Sequence, residues 1–206
     1  MRYCIILLVL GSILVTSCNK NYLTDGGVSK ANTSLSTYDY LAGNEYHYFD
    51  TVLLIADHFG LKDSINKSGT FFAPTDFSIT ALMTTLNVTS LDSLYDYITS
   101  KFLTQYMFAD SSINLANATL DPVAHPNWAD TIAAVKKTAY TYGAANSTFT
   151  YYILQYVKIN GQMDGVNGPV GSDPADAVLN CQTTGILTST GTTLHVLANN
   201  ASLATR

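Results

Sequence analysis

The sequence predicts an α+β fold, with most helices in the first half of the chain and most strands in the second. Three observations carry that prediction. Apolar residues recur at helical spacing up to Tyr106. Beyond Asp121, β-branched and aromatic residues gather between turn residues. Between Gly69 and Phe77 a strand stops and restarts as a helix. Helices first and strands after is the order of an α+β chain rather than of alternating βαβ units.

Along the chain, Asn19 to Asn44 lacks sustained periodicity and carries Asp25-Gly26-Gly27, so it reads as a tether, with Tyr38, Tyr40 and Leu41 as its docking residues. From Tyr48, Phe49, Val52, Leu53, Ala56 and Phe59 share one helical face; Gly60 stops it, and Leu61 with Ile65 continue as a further turn. Thr70 to Phe72 suit a half-buried strand. Pro74 ends that strand, because it cannot donate to a ladder and biases Ala73 towards extended geometry. Thr75 or Asp76 then caps a helix over Ile79 to Leu86. A third, long helix places Leu91, Leu94, Tyr95, Ile98, Phe102, Gln105 and Tyr106 on one face, opened by Ser90 or Ser93. In the second half, Asp121-Pro122, His125-Pro126-Asn127 and Gly143 punctuate strand-favouring segments. Thr148 to Ile159 is a strand ending in an Asn160-Gly161 turn, and Val166 to Pro174 is loop. Asp176 to Leu179 and Thr184 to Leu197 close the fold, the last strand entered through Thr190-Gly191.

Residues 1–17 read as a signal peptide. Arg2 supplies the positive start, and the apolar run Ile5 to Val15 is too short to span a bilayer as a mature helix. It ends in Leu14-Val15-Thr16-Ser17-Cys18, small residues before a cysteine, which resembles the lipobox of bacterial lipoproteins. That resemblance implies cleavage before Cys18 and diacylation of that residue, which becomes the new N-terminus, and several acyl chains on one residue anchor stably where one does not. The expected organisation is a signal peptide over 1–17, a lipidated N-terminus and tether over 18–44, and one domain over 45–206.

Composition narrows the function classes. About 190 mature residues suit one domain. A content of 47% hydrophobic and 11% aromatic residues is ample for its core. Loss of Arg2 leaves nine basic residues against 15 acidic ones, a net charge near −6, with Arg206 the remaining arginine. Nothing in that balance neutralises a run of phosphates, so nucleic acid is excluded as a partner, as is electrostatic binding to an anionic membrane surface. With Cys4 in the signal and Cys18 carrying lipid, Cys181 alone remains, a small buried hydrophobe with no disulfide partner.

The segment Gly-Thr-Phe-Phe-Ala-Pro-Thr-Asp-Phe over Gly69–Phe77, together with Thr190–Leu197, resembles the paired signature of the fasciclin domain family. That family's first motif runs Thr-Val-Phe-Ala-Pro-Thr-Asp/Asn and then an aromatic. Its second runs Asn-Gly, a few apolar residues, then His-Val-Ile; here Thr190-Gly191-Thr192 replaces Thr-Asn-Gly, and His195-Val196-Leu197 comes after it. The resemblance spans Tyr40 to Asn199 and implies a fasciclin-like, wedge-shaped β-sandwich with helices packed along one side. Many members carry a Tyr-His pair at the end of the long helix; Tyr106-Met107 stands there, without the histidine. Some animal members carry an acid-Ile sequence just before the second motif, and Thr184 to Leu187 holds no acid.

Side-chain chemistry points to binding rather than catalysis. His47, His58, His125 and His195 show no metal-ligand or His-Glu spacing, and His195 between Leu194 and Val196 reads as a structural donor. Pro74, Thr75, Asp76 and His195 are therefore expected to be architectural, with Asp76 acting as a cap. Gly165, Gly168 and Gly171 lack the setting of a phosphate loop, and Asp173-Pro174-Ala175-Asp176 has too few oxygens at calcium spacing. No cofactor and no metal are expected.

Tyr140, Tyr142, Tyr151, Tyr152 and Tyr156 crowd one third of the chain. Alternation puts Tyr152 and Tyr156 on one face and Tyr151 on the other, so at most one set is buried, and an aromatic patch of Tyr151, Tyr152 and Tyr156 is the candidate binding surface. Asp50-Thr51-Val52, Asp63-Ser64-Ile65, Asp92-Ser93-Leu94 and Asp130-Thr131-Ile132 look like the Asp-Ser/Thr-apolar acceptor of O-glycosylation in some Gram-negative envelopes, and equally like helix starts.

The resemblances together imply a membrane-anchored, non-catalytic adhesion or protein-interaction lipoprotein. The alternative is an accessory glycan-binding or assembly lipoprotein of an outer-membrane glycan-uptake system. Either places the chain at the cell envelope, lipid-anchored to the outer membrane of a Gram-negative bacterium, with a protein or glycan partner.

Overall fold

A computed structural model of the chain describes residues 32–144, 147–165, 168–169 and 171–203. The expected signal peptide, Cys18 and the first part of the tether lie outside the described residues. The described body already includes Asn32 to Asn44, ahead of the expected boundary at 45. Asn32 bridges Leu187, and the Thr33 N–H donates to the Leu187 carbonyl at 2.9 Å. Next comes helix α1 (Thr37–Ala42), capped by Ser36, whose Oγ accepts the Asp39 N–H. Thr37 and Leu41, four residues apart and so on one face, are both buried, and the Thr37 hydroxyl lies 2.9 Å from that of Thr188. A helix of six residues is too short for its periodicity to stand out in the sequence, so the stretch reads as tether when taken alone.

Helix α2 (Asp50–His58) buries Val52, Leu53, Ile55 and Ala56. Gly60, at φ 64°, turns the chain into α3 (Lys62–Lys67). Strand β1 (Thr70–Ala73) is buried on both faces rather than half-buried, because it lies inside the sheet. Helix α4 (Asp76–Leu86) starts at Thr75, whose N–H donates to Ser78 Oγ at 3.1 Å, and ends at Asn87 in the left-handed conformation.

The expected long helix over Leu91–Tyr106 is broken. Helix α5 (Leu91–Tyr95), capped by Ser90, and α6 (Lys101–Thr104) are separated by a turn. Leu94, Ile98, Phe102, Gln105 and Tyr106 are all buried, so the apolar face is correct while the helix is not continuous. The break falls at Ile98-Thr99-Ser100. A β-branched pair with serine after it is a weak helix former, and Thr99 Oγ1 accepts the Lys101 N–H at 3.3 Å, competing with the helical pattern.

Six further strands complete one mixed sheet: β2 (Met107–Phe108), β3 (Val123–Pro126), β4 (Ile132–Ala144), β5 (Ser147–Lys158), β6 (Ala177–Leu187) and β7 (Thr193–Leu197). The order is β2-β1-β7-β6-β5-β4-β3, with β1 and β7 parallel and the other pairs antiparallel. Its two edges approach each other, Phe108 bridging Asn127 and the Trp128 N–H donating to the Met107 carbonyl at 3.0 Å, so the sheet is nearly a barrel. The architecture is α+β. Phe71, Phe72, Phe108, Tyr106 and Tyr156 are among the largest fully buried side chains of its core.

Two irregularities of the sheet shape its surface. Strand β6 pairs with β5 through Asn180 and with β7 from Cys181, and it carries register shifts around Gly185, which adopts φ 77°. Strands β4 and β5 outrun their neighbours: β3 pairs β4 only over Ile132–Val135, and β6 pairs β5 only over Gln155–Lys158. The Lys137 N–H still donates to the Thr119 carbonyl at 2.7 Å; beyond it, and from Leu154 outward, the two strands pair with each other alone, forming a two-stranded arm. At its base Thr138 Oγ1 donates to Gln155 Oε1, and Gln155 Nε2 to Asn180 Oδ1 at 2.7 Å, a polar side-chain ladder across three strands.

Candidate functional site

The two segments that carry the sequence signature lie side by side. In the parallel β1–β7 pair, Phe71 sits opposite Leu194, Phe72 opposite His195, and Ala73 opposite Val196. His195 is fully buried, with its ring 4.8 Å from that of Phe72. Both nitrogens are engaged by backbone: Nε2 lies 2.9 Å from the Ile113 carbonyl, and Nδ1 is 3.1 Å from the Gly185 nitrogen. The tautomer that satisfies both donates from Nε2 and accepts at Nδ1. The Gly185 N–H is free to make that bond because the bulge in β6 withdraws it from the ladder. Burial lowers the imidazole pKa to about 4, partly offset by the bond to Ile113.

Pro74 and Thr75 are buried at the β1–α4 turn. Asp76 caps a helix, but not its own: its carboxylate accepts the Thr51 N–H at 3.0 Å and the Val52 N–H at 3.2 Å, at the start of α2. A carboxylate in a first helical turn can reach any nearby helix start, and spacing along the chain does not say which. Of the Asp-Ser/Thr-apolar segments, three lie in the first turns of α2, α3 and α5. The fourth, at Asp130, is a turn with φ 59° ahead of β4.

The expected patch of Tyr151, Tyr152 and Tyr156 is redistributed. Tyr156 is 1% exposed, its hydroxyl donating to the Gln105 carbonyl at 3.3 Å, and belongs to the core. Tyr151 and Tyr152 are both exposed, although they face opposite ways, because the arm has left the body and neither face is covered. On one face Tyr140 stacks on Tyr151 with centroids 5.5 Å apart, and Phe149 stacks on Tyr151 at 6.2 Å. Phe149 is 66% exposed and its cross-strand neighbour Tyr142 is 78% exposed. On the other face the Lys137 ammonium lies 5.3 Å from the Tyr152 ring centre. A second exposed cluster, Tyr46, Tyr48 and Phe77, sits where α4 meets the start of α2.

A cleft of about 670 Å³ opens beside the break between α5 and α6. Tyr97, Thr99 and Lys101 line it from the helical side, Gln105 and Tyr156 its floor, and Lys158, Ile159 and Asn160 the end of β5. No histidine lines it. His47 lies 3.0 Å from Asp50, and His58 stacks on Tyr95 at 3.6 Å. Among the described residues no group of three or more His, Cys, Asp or Glu side chains is placed to hold a metal ion, and no helix is long and apolar enough to cross a membrane. Cys181 is buried, and burial pushes its thiol well above the ordinary range.

Sequence reasoning singles out neither Phe149 nor the cleft lysines. A signal for Lys158 is present: Tyr152, Leu154, Tyr156 and Lys158 alternate on one side of β5, so a lysine completes an otherwise apolar inward row. No protein-family model matches the chain, and a search of curated proteins finds no significant match.

Proposed function

We propose that the chain is a membrane-anchored, non-catalytic adhesion or protein-interaction lipoprotein built on a fasciclin-like domain, and that the β4–β5 arm meets its partner. The observation that carries this reading is the stack of Tyr140, Tyr151 and Phe149, left exposed on a ribbon whose outer edges pair with no other described strand. Exposed aromatic rings supply contact area at low entropic cost, and unpaired strand edges offer backbone groups to a partner's strand. The family reading draws support from the adjacency of the two signature strands, with Phe72 against His195. The anchor rests on Cys18 and the lipobox resemblance.

The alternative, an accessory glycan-binding or assembly lipoprotein of an outer-membrane glycan-uptake system, rests on the same exposed rings, whose faces suit stacking on sugars. One experiment separates the two. A photo-crosslinking residue at Tyr142, with a control at Leu54, is used on solubilised membranes; in parallel, the purified protein is screened on immobilised glycans. A protein adduct at Tyr142 that disappears in the variant Tyr140→Ser, Phe149→Ser, Tyr151→Ser supports the interaction reading. Glycan retention lost in that same variant, with no adduct, replaces it with the alternative.

A further inference from the structure

We propose that the cleft beside the α5–α6 break is a binding site for a small organic acid, a ring or short chain bearing one carboxylate or phosphate, whose anionic head is held by Lys158, with Lys101 on the helical wall of the same cleft. The site is distinct from the arm and does not depend on it.

Lys158 is the central residue. It ends the inward-facing row of β5 and is half-buried in the cleft. Among the described residues no carboxylate lies within ion-pair distance of its ammonium. Burial holds that ammonium below its ordinary pKa, with no opposing charge to compensate. The lysine stem is covered while its ammonium stays open to the cleft, where an entering anion can reach it. A ligand anion supplies what the fold leaves out.

The surroundings define the ligand class. Lys101 pairs with Asp130 at 3.9 Å, but both side chains are largely exposed, so that contact is weak and easily exchanged for a ligand oxygen. The carboxylates nearest in the following loop are committed to backbone and do not line the cleft: Asp173 accepts the Gln162 N–H at 2.7 Å, and Asp176 accepts the Asn160 N–H at 2.8 Å. Tyr97 and Ile132 provide exposed apolar surface for a ring, while the amide nitrogens of Gln105 and Asn160 already donate to the Phe102 and Ala175 carbonyls and leave their amide oxygens as acceptors for hydroxyl groups. The volume falls in the range of small-molecule sites, roughly 300–1,000 Å³. Two lysines match a single acidic head and are too few for a polyphosphate.

The test is amide NMR of the full mature chain titrated with glucuronate, phenyl phosphate and neutral methyl glucoside. The acids are expected to shift Thr99, Lys101 and Asn160 amides, and the neutral sugar to leave them in place. Which acid binds more tightly distinguishes a carboxylate from a phosphate ligand. Lys158→Met should weaken binding by about tenfold or more while the unliganded protein melts at the same or a higher temperature. Lys136→Met, outside the cleft, should bind like the parent. If Lys158→Met does not fold, Lys158→Arg should keep binding and Lys158→Gln should lose it. Equal binding of the neutral sugar, unmoved cleft amides with both acids, or undiminished affinity without the Lys158 charge overturns the proposal.

Discussion

Asp76 caps the helix that begins at Asp50 rather than the helix it opens: its two carboxylate oxygens both lie 3.0 Å from the Thr51 nitrogen. The Asp76 N–H in turn donates to the Tyr48 carbonyl at 2.8 Å. One residue thereby fastens the N-termini of α2 and α4 to each other, and its negative charge sits where the dipole of α2 is positive.

Replacing Asp76 therefore tests two helices at once. Asp76→Ala is expected to cost about 1–2 kcal/mol, the upper part of the range for a lost cap, because Thr51 and Val52 lose their acceptor together. Asp76→Asn, which keeps an acceptor oxygen, should cost less. Chemical denaturation measures both, and an alanine variant as stable as the parent would show that the cap contributes nothing.

His195 makes stability depend on acidity. Its folded pKa is lowered from 6.5 to about 4, so the fold favours the neutral ring and the unfolded chain takes up the proton first. The contribution is fully present above pH 6.5 and is lost as pH falls through 6.5 towards about 4. At roughly 1.4 kcal/mol per pH unit, the whole effect is about 3 kcal/mol. Urea unfolding at about pH 7 and about pH 5 should show the slope. His195→Gln should lower stability at neutral pH and flatten the slope; an unchanged slope would assign the acid sensitivity to other groups.

Two tyrosines on one strand should respond differently to the same change. Tyr156→Ala is expected to cost about 3–5 kcal/mol, the range for emptying a large aromatic site in a core. Tyr151→Ala should cost about 1 kcal/mol or less, the worth of an exposed cross-strand pair. Thermal melts of the two variants decide it, and comparable losses would mean that the arm packs against something that shields Tyr151.

The anchor has its own test. Cys18→Ser should leave the protein uncleaved or released from the membrane fraction, with the melting temperature of the folded body unchanged. Mass spectrometry of the mature N-terminus reports the outcome directly: an unmodified terminus at any other residue ends the lipoprotein reading.

Local chemistry made much of the fold legible. The strand–proline–helix transition at Thr70–Leu86, the helical face of Phe49–Phe59 and the strand over Thr148–Lys158 all arise from periodicities and punctuation within a few residues. Tertiary structure decided what those periods cannot express. Leu94, Ile98 and Phe102 share a buried face whether or not the helix is continuous, so periodicity alone could not show the break at Ile98-Thr99-Ser100 or the cleft beside it. Alternation placed Tyr152 and Tyr156 on one side of β5, yet one is exposed and the other is core. The difference arises because β6 leaves β5 after Asn180 to pair with β7. Side-chain parity is a property of one strand, whereas burial depends on where its neighbours end, and those ends are set by pairings between residues far apart in the chain.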